Sequence, residues 1–280
     1  MRKQWKVYLL GLSFMLSNGP KALSEEPAFT TISFLGASFT AAVGINPRGD
    51  IVGRFIVGGA QHGFLISGGS TTRFDVPGST STFPTGITPG GDIVGIYGSG
   101  GVAHGFLLSA GNYRKFDFPG AVSTAAFGVN ARGDIVGLYV QAGKGHGFLL
   151  SGGNFTTIDF PDATFTMAQG INSEGDIIGR YTSGGTTHGF LLSGGNFTTT
   201  DFPGASLTFS VGINAEGEIV GGYTNLDGTT HGFLLSGGNF TTIDVPGSGF
   251  NFANGINPRD DIVGHYQLPG VSAGYVLSSR

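Results

Sequence analysis

The chain has 280 residues, of which 53 are glycine, only 11% are charged and none is cysteine. Glycine at that density excludes helical bundles and coiled coils, because each helical glycine costs roughly 1 kcal/mol relative to alanine, and the missing three-residue period excludes collagen. Zero cysteines exclude disulfide scaffolds and zinc–thiolate sites, while 39% hydrophobic residues and 24 phenylalanines oppose charge-driven disorder.

In chain order, the first element is a predicted secretory signal over residues 1–24. Arg2, Lys3 and Lys6 form its basic region, Val7 to Leu16 its apolar core, and Ala22-Leu23-Ser24 a small-x-small cleavage site. Ten apolar residues fall short of the roughly 20 that cross a bilayer, and no later stretch is longer, so no membrane span is expected. An uncleaved N-terminal anchor is the alternative. Cleavage removes Arg2, Lys3, Lys6 and Lys21, leaving 10 Lys+Arg against 18 Asp+Glu and a formal charge near −8. That acidity and the lack of a basic stripe argue against nucleic acid or an anionic membrane as partner. A soluble, monomeric, secreted or periplasmic protein is expected, with residues 25–280 as one domain.

Six copies of one unit follow. A Gly-(Ile/Val)-(Asn/Thr) triplet starts at Gly44, Gly86, Gly128, Gly170, Gly212 and Gly255, at spacings of 42, 42, 42, 42 and 43 residues. Copy four shows the pattern. Thr164–Asn172 reads as a strand, Ser173-Glu174-Gly175 as a turn, Asp176–Thr182 as a second strand and His188–Ser193 as a third. Gly194-Gly195-Asn196 makes a hairpin turn into a fourth strand, Phe197–Phe202, which Pro203 ends. Four short antiparallel strands in about 42 residues is the size of a propeller blade.

The predicted fold is therefore all-β: a six-bladed β-propeller of four-stranded antiparallel blades. Residues Phe29–Phe34 match a fourth strand, and Gly274–Ser278 match a third. Pairing them would complete the sixth blade from 249–278 plus 29–34 and close the ring. An open β-solenoid would leave two sheet edges exposed.

The His-Gly-Phe triplets at His62, His104, His146, His188 and His231, each after a Gly-Asp-Ile-Val-Gly-like segment, resemble the bacterial extracellular HAF-type repeat family, named for His-Ala-Phe. The resemblance covers residues 29–280 and implies export and a propeller-like repeat; it brings no catalytic residues. Glycine in the middle of the triplet departs from the family's name.

The five repeated histidines are read as structural, each hydrogen-bonded within its own blade to the acid of the second strand: Asp50, Asp92, Asp134, Asp176 or Glu218. Equivalent third-strand positions in adjacent blades lie too far apart to share a metal, whose ligand atoms sit about 2 Å from the ion, so no metal is expected. The sixth copy has Ala273 in the histidine's place. Asp75, Asp117, Asp159, Asp201 and Asp244 precede the corner prolines and are read as turn residues bonding backbone N–H groups.

No nucleophile elbow, zincin motif or phosphate loop occurs, so no catalytic residue and no cofactor is assigned. The connections between second and third strands vary, which makes Gln61, Val102, Lys144, Thr186, Asp227 and Leu268 the candidate binding-loop residues. Phe83, Phe127, Phe209 and Phe252 break the small-residue pattern ahead of the glycine triplets. Most belong to the packing between blades and a few line the channel mouth. The functional expectation is a secreted, non-enzymatic binding module for a glycan or cell-surface polymer. The alternatives are a polysaccharide hydrolase or lyase with two special carboxylates at the central mouth, and a purely structural surface protein.

Overall fold

A computed structural model describes residues 28–278. The expected signal, residues 1–24, lies outside these. Among the described residues there is no helix, hence none able to cross a membrane.

The architecture is a propeller arrangement of four-stranded antiparallel blades. Unit four has strands Phe165–Ile171, Ile177–Ser183, Thr186–Ser193 and Asn196–Thr199, within a few residues of the sequence reading. The other units occupy 37–74, 81–116, 123–158, 207–243 and 250–278. Each first strand packs against the first strand of the next unit, and that of unit one also packs against all three strands of unit six.

Six separate sheets, as expected from the repeats, do not result. Four blades stand as separate sheets, units one to four; units five and six, together with the N-terminal strand Ala28–Ile32, form one eight-stranded sheet. A single parallel residue pair, Thr230 with Phe250, makes that junction. It sits where unit five leaves the pattern, directly after the longer connection at residues 225–229. Ala28–Ile32 lies antiparallel to Val271–Ser278, with Ala28 opposite Ser278 and Ile32 opposite Gly274.

Two sets of glycines explain how the strands come so close. A Cβ on the second-strand Gly53 would lie 2.1 Å from the Ala41 carbonyl oxygen and 2.7 Å from the Phe64 ring. Gly95, Gly137, Gly179, Gly221 and Gly264 sit in the same vise. The missing side chain lets the phenylalanine of each His-Gly-Phe triplet lie flat across its own sheet. Phe64, Phe106, Phe148, Phe190 and Phe233 are fully buried there, and Tyr275 takes the place in unit six. The triplet glycines form the second set, at the inner edge. A Cβ on Gly44 would meet the Gly86 Cα at 3.3 Å, and one on Gly255 would meet the Gly44 Cα at 3.4 Å.

Aromatic pairs join neighbouring units. The corner residues Phe118, Phe160 and Phe202 stack on Tyr139, Tyr181 and Tyr223 of the following unit, all with centroids 3.6 Å apart. Phe34, which follows the N-terminal strand, stacks on Phe55 of unit one at 4.4 Å. Buried aromatic pairs contribute about 0.5–1.5 kcal/mol each beyond their area. The first turns add polar links: Asn46 Nδ2 donates to the Thr88 carbonyl, Asn130 to that of Asn172, and Asn257 to that of Asn46.

Candidate functional site

The repeated histidines do not meet the second-strand acids. Their partners are the strand-four aspartates thirteen residues on. His62 Nδ1 lies 2.9 Å from Asp75, His104 3.0 Å from Asp117, His146 2.9 Å from Asp159, His188 2.6 Å from Asp201 and His231 2.7 Å from Asp244. The antiparallel register explains the exchange. Gly63 pairs with Phe74, so the histidine before it sits beside the aspartate after Phe74. The second-strand partner directly across from each histidine is instead an aromatic ring: Phe55, Tyr97, Tyr139, Tyr181 or Tyr223. The expected aspartate bonds to corner backbone are thus replaced by an ion-pair-like clamp between third and fourth strands, although Asp201 also accepts from the Gly189 N–H.

Unit six lacks both halves of this clamp. The register that places Tyr266 opposite Ala273 puts Thr31 opposite Tyr275, so Ser33 stands at the aspartate position. Losing histidine and aspartate together is what a two-residue structural device predicts. The Tyr266 hydroxyl still meets Thr31 Oγ1 at 3.0 Å, as Tyr139, Tyr181 and Tyr223 meet Thr157, Thr199 and Thr242.

The second-strand acids close the first turns. Asp50 accepts from Asn46 Nδ2 and Arg48 Nε, and Asp134 accepts from Asn130 Nδ2, Arg132 Nε and Ser151 Oγ. Burial raises the pKa of both carboxyls, but hydrogen bonds from serine, asparagine and arginine outweigh it, and each is held below the usual aspartate value. Asp176 accepts from Asn172, and Glu218 from Asn214 and Ser236. Asp92 offers its N–H to Thr88 Oγ1. Among the described residues, no group of three or more metal-ligating side chains gathers.

The six candidate loop residues mostly do not lie in loops. Units one to four close their second and third strands with two-residue turns, Gly58-Gly59, Gly100-Gly101, Ala142-Gly143 and Gly184-Gly185, in which both residues have positive φ. Gln61, Val102, Lys144 and Thr186 accordingly belong to third strands, and Leu268 ends a second strand. Asp227 alone occupies a longer connection, where its carboxylate accepts from the Thr229 N–H and hydroxyl and is held below its usual pKa. The variable connections expected between second and third strands are thus, in units one to four, tight two-residue turns.

The side chains that break the repeat converge elsewhere. In every unit the first strand carries a β-bulge at the residue before the triplet glycine. A bulge re-aims its extra side chain. The bulged residues are Val43, Thr85, Phe127, Gln169, Val211 and Asn254, and all six line a cavity of about 310 Å³ at the channel mouth. The second-strand position that pairs with the residue two before each bulge reads Arg54, Ile96, Leu138, Arg180, Gly222 and His265 around the units, and its three polar members line the same cavity. Phe83, Phe250 and Phe252 complete an aromatic rim. A smaller cavity of about 110 Å³ lies against the glycine triplets of all six units.

Electrostatics at this mouth is one-sided. Arg54 donates from Nη1 to Gln61 Oε1 at 3.0 Å and lies 4.1 Å from the Phe83 centroid and 5.0 Å from that of Phe39. Its Nε is buried without a partner, as is Gln169 Oε1. Arg180 sits between Phe165 and Phe209, at 5.9 and 5.3 Å. Burial lowers the pKa of both arginines. Among the described residues, arginine–carboxylate pairs involve Arg48, Arg73, Arg132 and Arg259, not these two. His265 is kept neutral: burial first, then the charge of Arg54, push its pKa down to about 4. Asn254 Nδ2 donates to the Ala42 carbonyl and to His265 Nδ1, which leaves the imidazole proton on Nε2. No aspartate or glutamate of the described residues lines the cavity. This second-strand position, with its arginines, was not singled out in the sequence; its variation inside an otherwise constant Gly-x-Tyr/Phe context was the available signal.

No known family profile matches the chain, and no curated protein is similar enough in sequence to count as a relative. Solved structures are similar in fold. A TolB-like protein from Agrobacterium tumefaciens matches at TM-score 0.62 and 13% identity, over 86% of this chain and 90% of that one. A streptogramin B lyase matches at TM-score 0.51 and 13% identity over 98% of both chains. A gluconolactonase-like protein matches at TM-score 0.53 and 13% identity, over 87% of this chain and 93% of its own. At such identities the likeness establishes a β-propeller and nothing about ligand or reaction.

Proposed function

We propose that this chain is an exported, non-catalytic β-propeller binding module of the HAF-repeat type, and that a glycan or cell-surface polymer seats in its mouth cavity rather than on its hairpins. The observation that carries the reading is the convergence of repeat-breaking side chains on one cavity. Positions identical in every unit serve the shared scaffold; positions that vary from unit to unit, yet line one cavity, have no such reason to vary.

The same reading takes the molecule as six blades closed into a ring, with Ala28–Ile32 as the outer strand of the last. The contact of Asn257 with the Asn46 carbonyl supports it, because it repeats that of Asn46 with Thr88. In this reading the eight-stranded sheet counts as two blades, linked only where the start of unit five's third strand meets unit six's first strand at Thr230 and Phe250. Export rests on the signal-like residues 1–24, and monomeric state on the pairing of Ala28–Ile32 with Gly274–Ser278 within one chain. A polysaccharide hydrolase would need a pair of carboxylates at the mouth, and the lining side chains supply cations and amides instead.

The test is a screen of glycans and bacterial cell-wall polymers with the wild-type protein, the mouth variants Phe83→Ala and Phe250→Ala, and the hairpin variants Lys144→Ala and Asp227→Ala. Mouth variants should weaken capture at least tenfold while hairpin variants retain it. No capture by the wild-type protein, or a loss confined to the hairpin variants, would contradict the reading.

A further inference from the structure

The mouth cavity carries cationic donors, and no carboxylate of the described residues lines it. Arg54 and Arg180 sit on units one and four, three steps apart around the six units, and both reach the same 310 Å³ space. Neither has a carboxylate partner among the described residues. His265 lines the cavity from unit six, and with its Nδ1 accepting from Asn254 its ring proton is on Nε2, a third donor among the lining residues. Partly buried guanidinium groups without counter-charges are unfavourable in the empty protein. They become favourable when a ligand brings the missing negative charge, and a planar carboxylate matches the guanidinium fork with two parallel hydrogen bonds.

The remaining walls specify the body that carries that charge. Phe83, Phe127 and Phe252 offer flat apolar faces, and the amides of Gln169 and Asn254 offer hydroxyl-compatible groups between them. A cavity of this size, near the lower end for small-ligand sites, admits one ring-sized unit and not a chain. We infer that the mouth binds a carboxylate-bearing sugar ring, a hexuronic acid unit presented singly or at the end of a glycan, with Arg54 and Arg180 clasping the carboxylate. This rests on the glycan-binding reading above and assigns the charge and size of the unit recognised. Arg54 is held for the task by Gln61 and by two phenyl rings, so its fork is oriented before ligand arrives.

Calorimetric titration of the whole exported chain tests this. The probes are D-glucuronic acid, D-galacturonic acid, an oligogalacturonide, the methyl ester of galacturonic acid, D-galactose and benzoate. At least one free uronic acid should bind tenfold or more tightly than the ester or galactose, with affinity falling as salt is raised. An oligogalacturonide should bind no weaker than the free acid if the end of a glycan is recognised, and weaker if single units are; either ordering supports recognition of the uronate. Arg180→Gln should lose at least tenfold in uronate affinity, and Arg180→Lys, which keeps charge without the fork, an intermediate amount. The wild-type comparison of acid with ester needs no variant, so it decides the matter even if the substitutions disturb folding. Equal binding of acid and ester would overturn the proposal, as would benzoate binding in place of uronate. If neutral glycans bind while uronates do not, the broader reading survives and this one falls. If no sugar of either kind binds here or in the polymer screen, both fall.

Discussion

At the outer strands, units one to five hold the same histidine against the same aspartate, and unit six drops both members as Ala273 and Ser33. At the mouth, one position passes through Arg54, Ile96, Leu138, Arg180, Gly222 and His265 without repeating more than a single residue type. The two regions are built from the same 42-residue unit, so the difference separates what the scaffold requires from what it leaves open. The outer belt is a set of interchangeable clamps, of which the protein can dispense with one. The mouth is a single cavity lined by six unequal contributions.

The largest expected effect breaks the frame that makes the comparison meaningful. Deleting residues 28–34 removes the strand paired with Val271–Ser278 and the buried Ile32 and Phe34. Two large core side chains alone are worth about 4 kcal/mol or more, and chemical denaturation should show a loss of at least that size. An unchanged midpoint would mean that the N-terminal strand is not the outer strand of the last unit. Next comes Gly137→Ala, where a Cβ would meet the Ala125 carbonyl oxygen at 2.1 Å and the Phe148 ring at 2.5 Å. Backbone cannot move aside, and a loss of about 3 kcal/mol is expected. Gly152→Ala, in an open turn with φ of 56°, should cost about 1 kcal/mol.

The clamp is tested by a double-mutant cycle on His146 and Asp159, which are partly exposed. Their coupling should come to about 1 kcal/mol in urea unfolding, with no effect on ligand capture. A coupling near zero would strip the outer belt of its stabilising role.

The smallest effect concerns another departure in unit six. Asp260 stands at φ of 60° where the other units have glycine, and it shares a hydrogen bond with Glu218. Burial, followed by that bond and the Glu218 charge, raises its pKa, so its contribution favours the fold at acid pH and turns unfavourable as pH rises through the raised value. Asp260→Gly should therefore stabilise the protein by about 1 kcal/mol at pH 7, and the gain should shrink as pH falls through the raised pKa towards the ordinary aspartate value. A gain that grows on acidification would contradict this assignment.

Much of this was legible from residues alone. The triplet spacing of 42 gave the unit, and Gly-Gly-Asn and Pro-Gly punctuation gave strands correct to a few residues. The matching of Phe29–Phe34 with Gly274–Ser278 anticipated the pairing of the two ends. Three things escaped, each for a physical reason. The histidine partner depends on hairpin register: the third and fourth strands bring His62 to Asp75, whereas spacing to Asp50 along the chain is uninformative about which strand edge it faces. The bulge before each triplet glycine leaves no mark in composition, yet it turns Gln169 and Asn254 into the channel. The single bridge from Thr230 to Phe250, which fuses two sheets, depends on one local deviation after the 225–229 connection.

The most direct measurement is the crystal structure of the protein with the tightest-binding sugar found in the screens. The account predicts ligand density inside the mouth, with its carboxylate between the Arg54 and Arg180 guanidinium groups and its ring against Phe83 or Phe252. Density on the hairpins near Lys144 or Asp227, with the mouth holding only solvent, would contradict it.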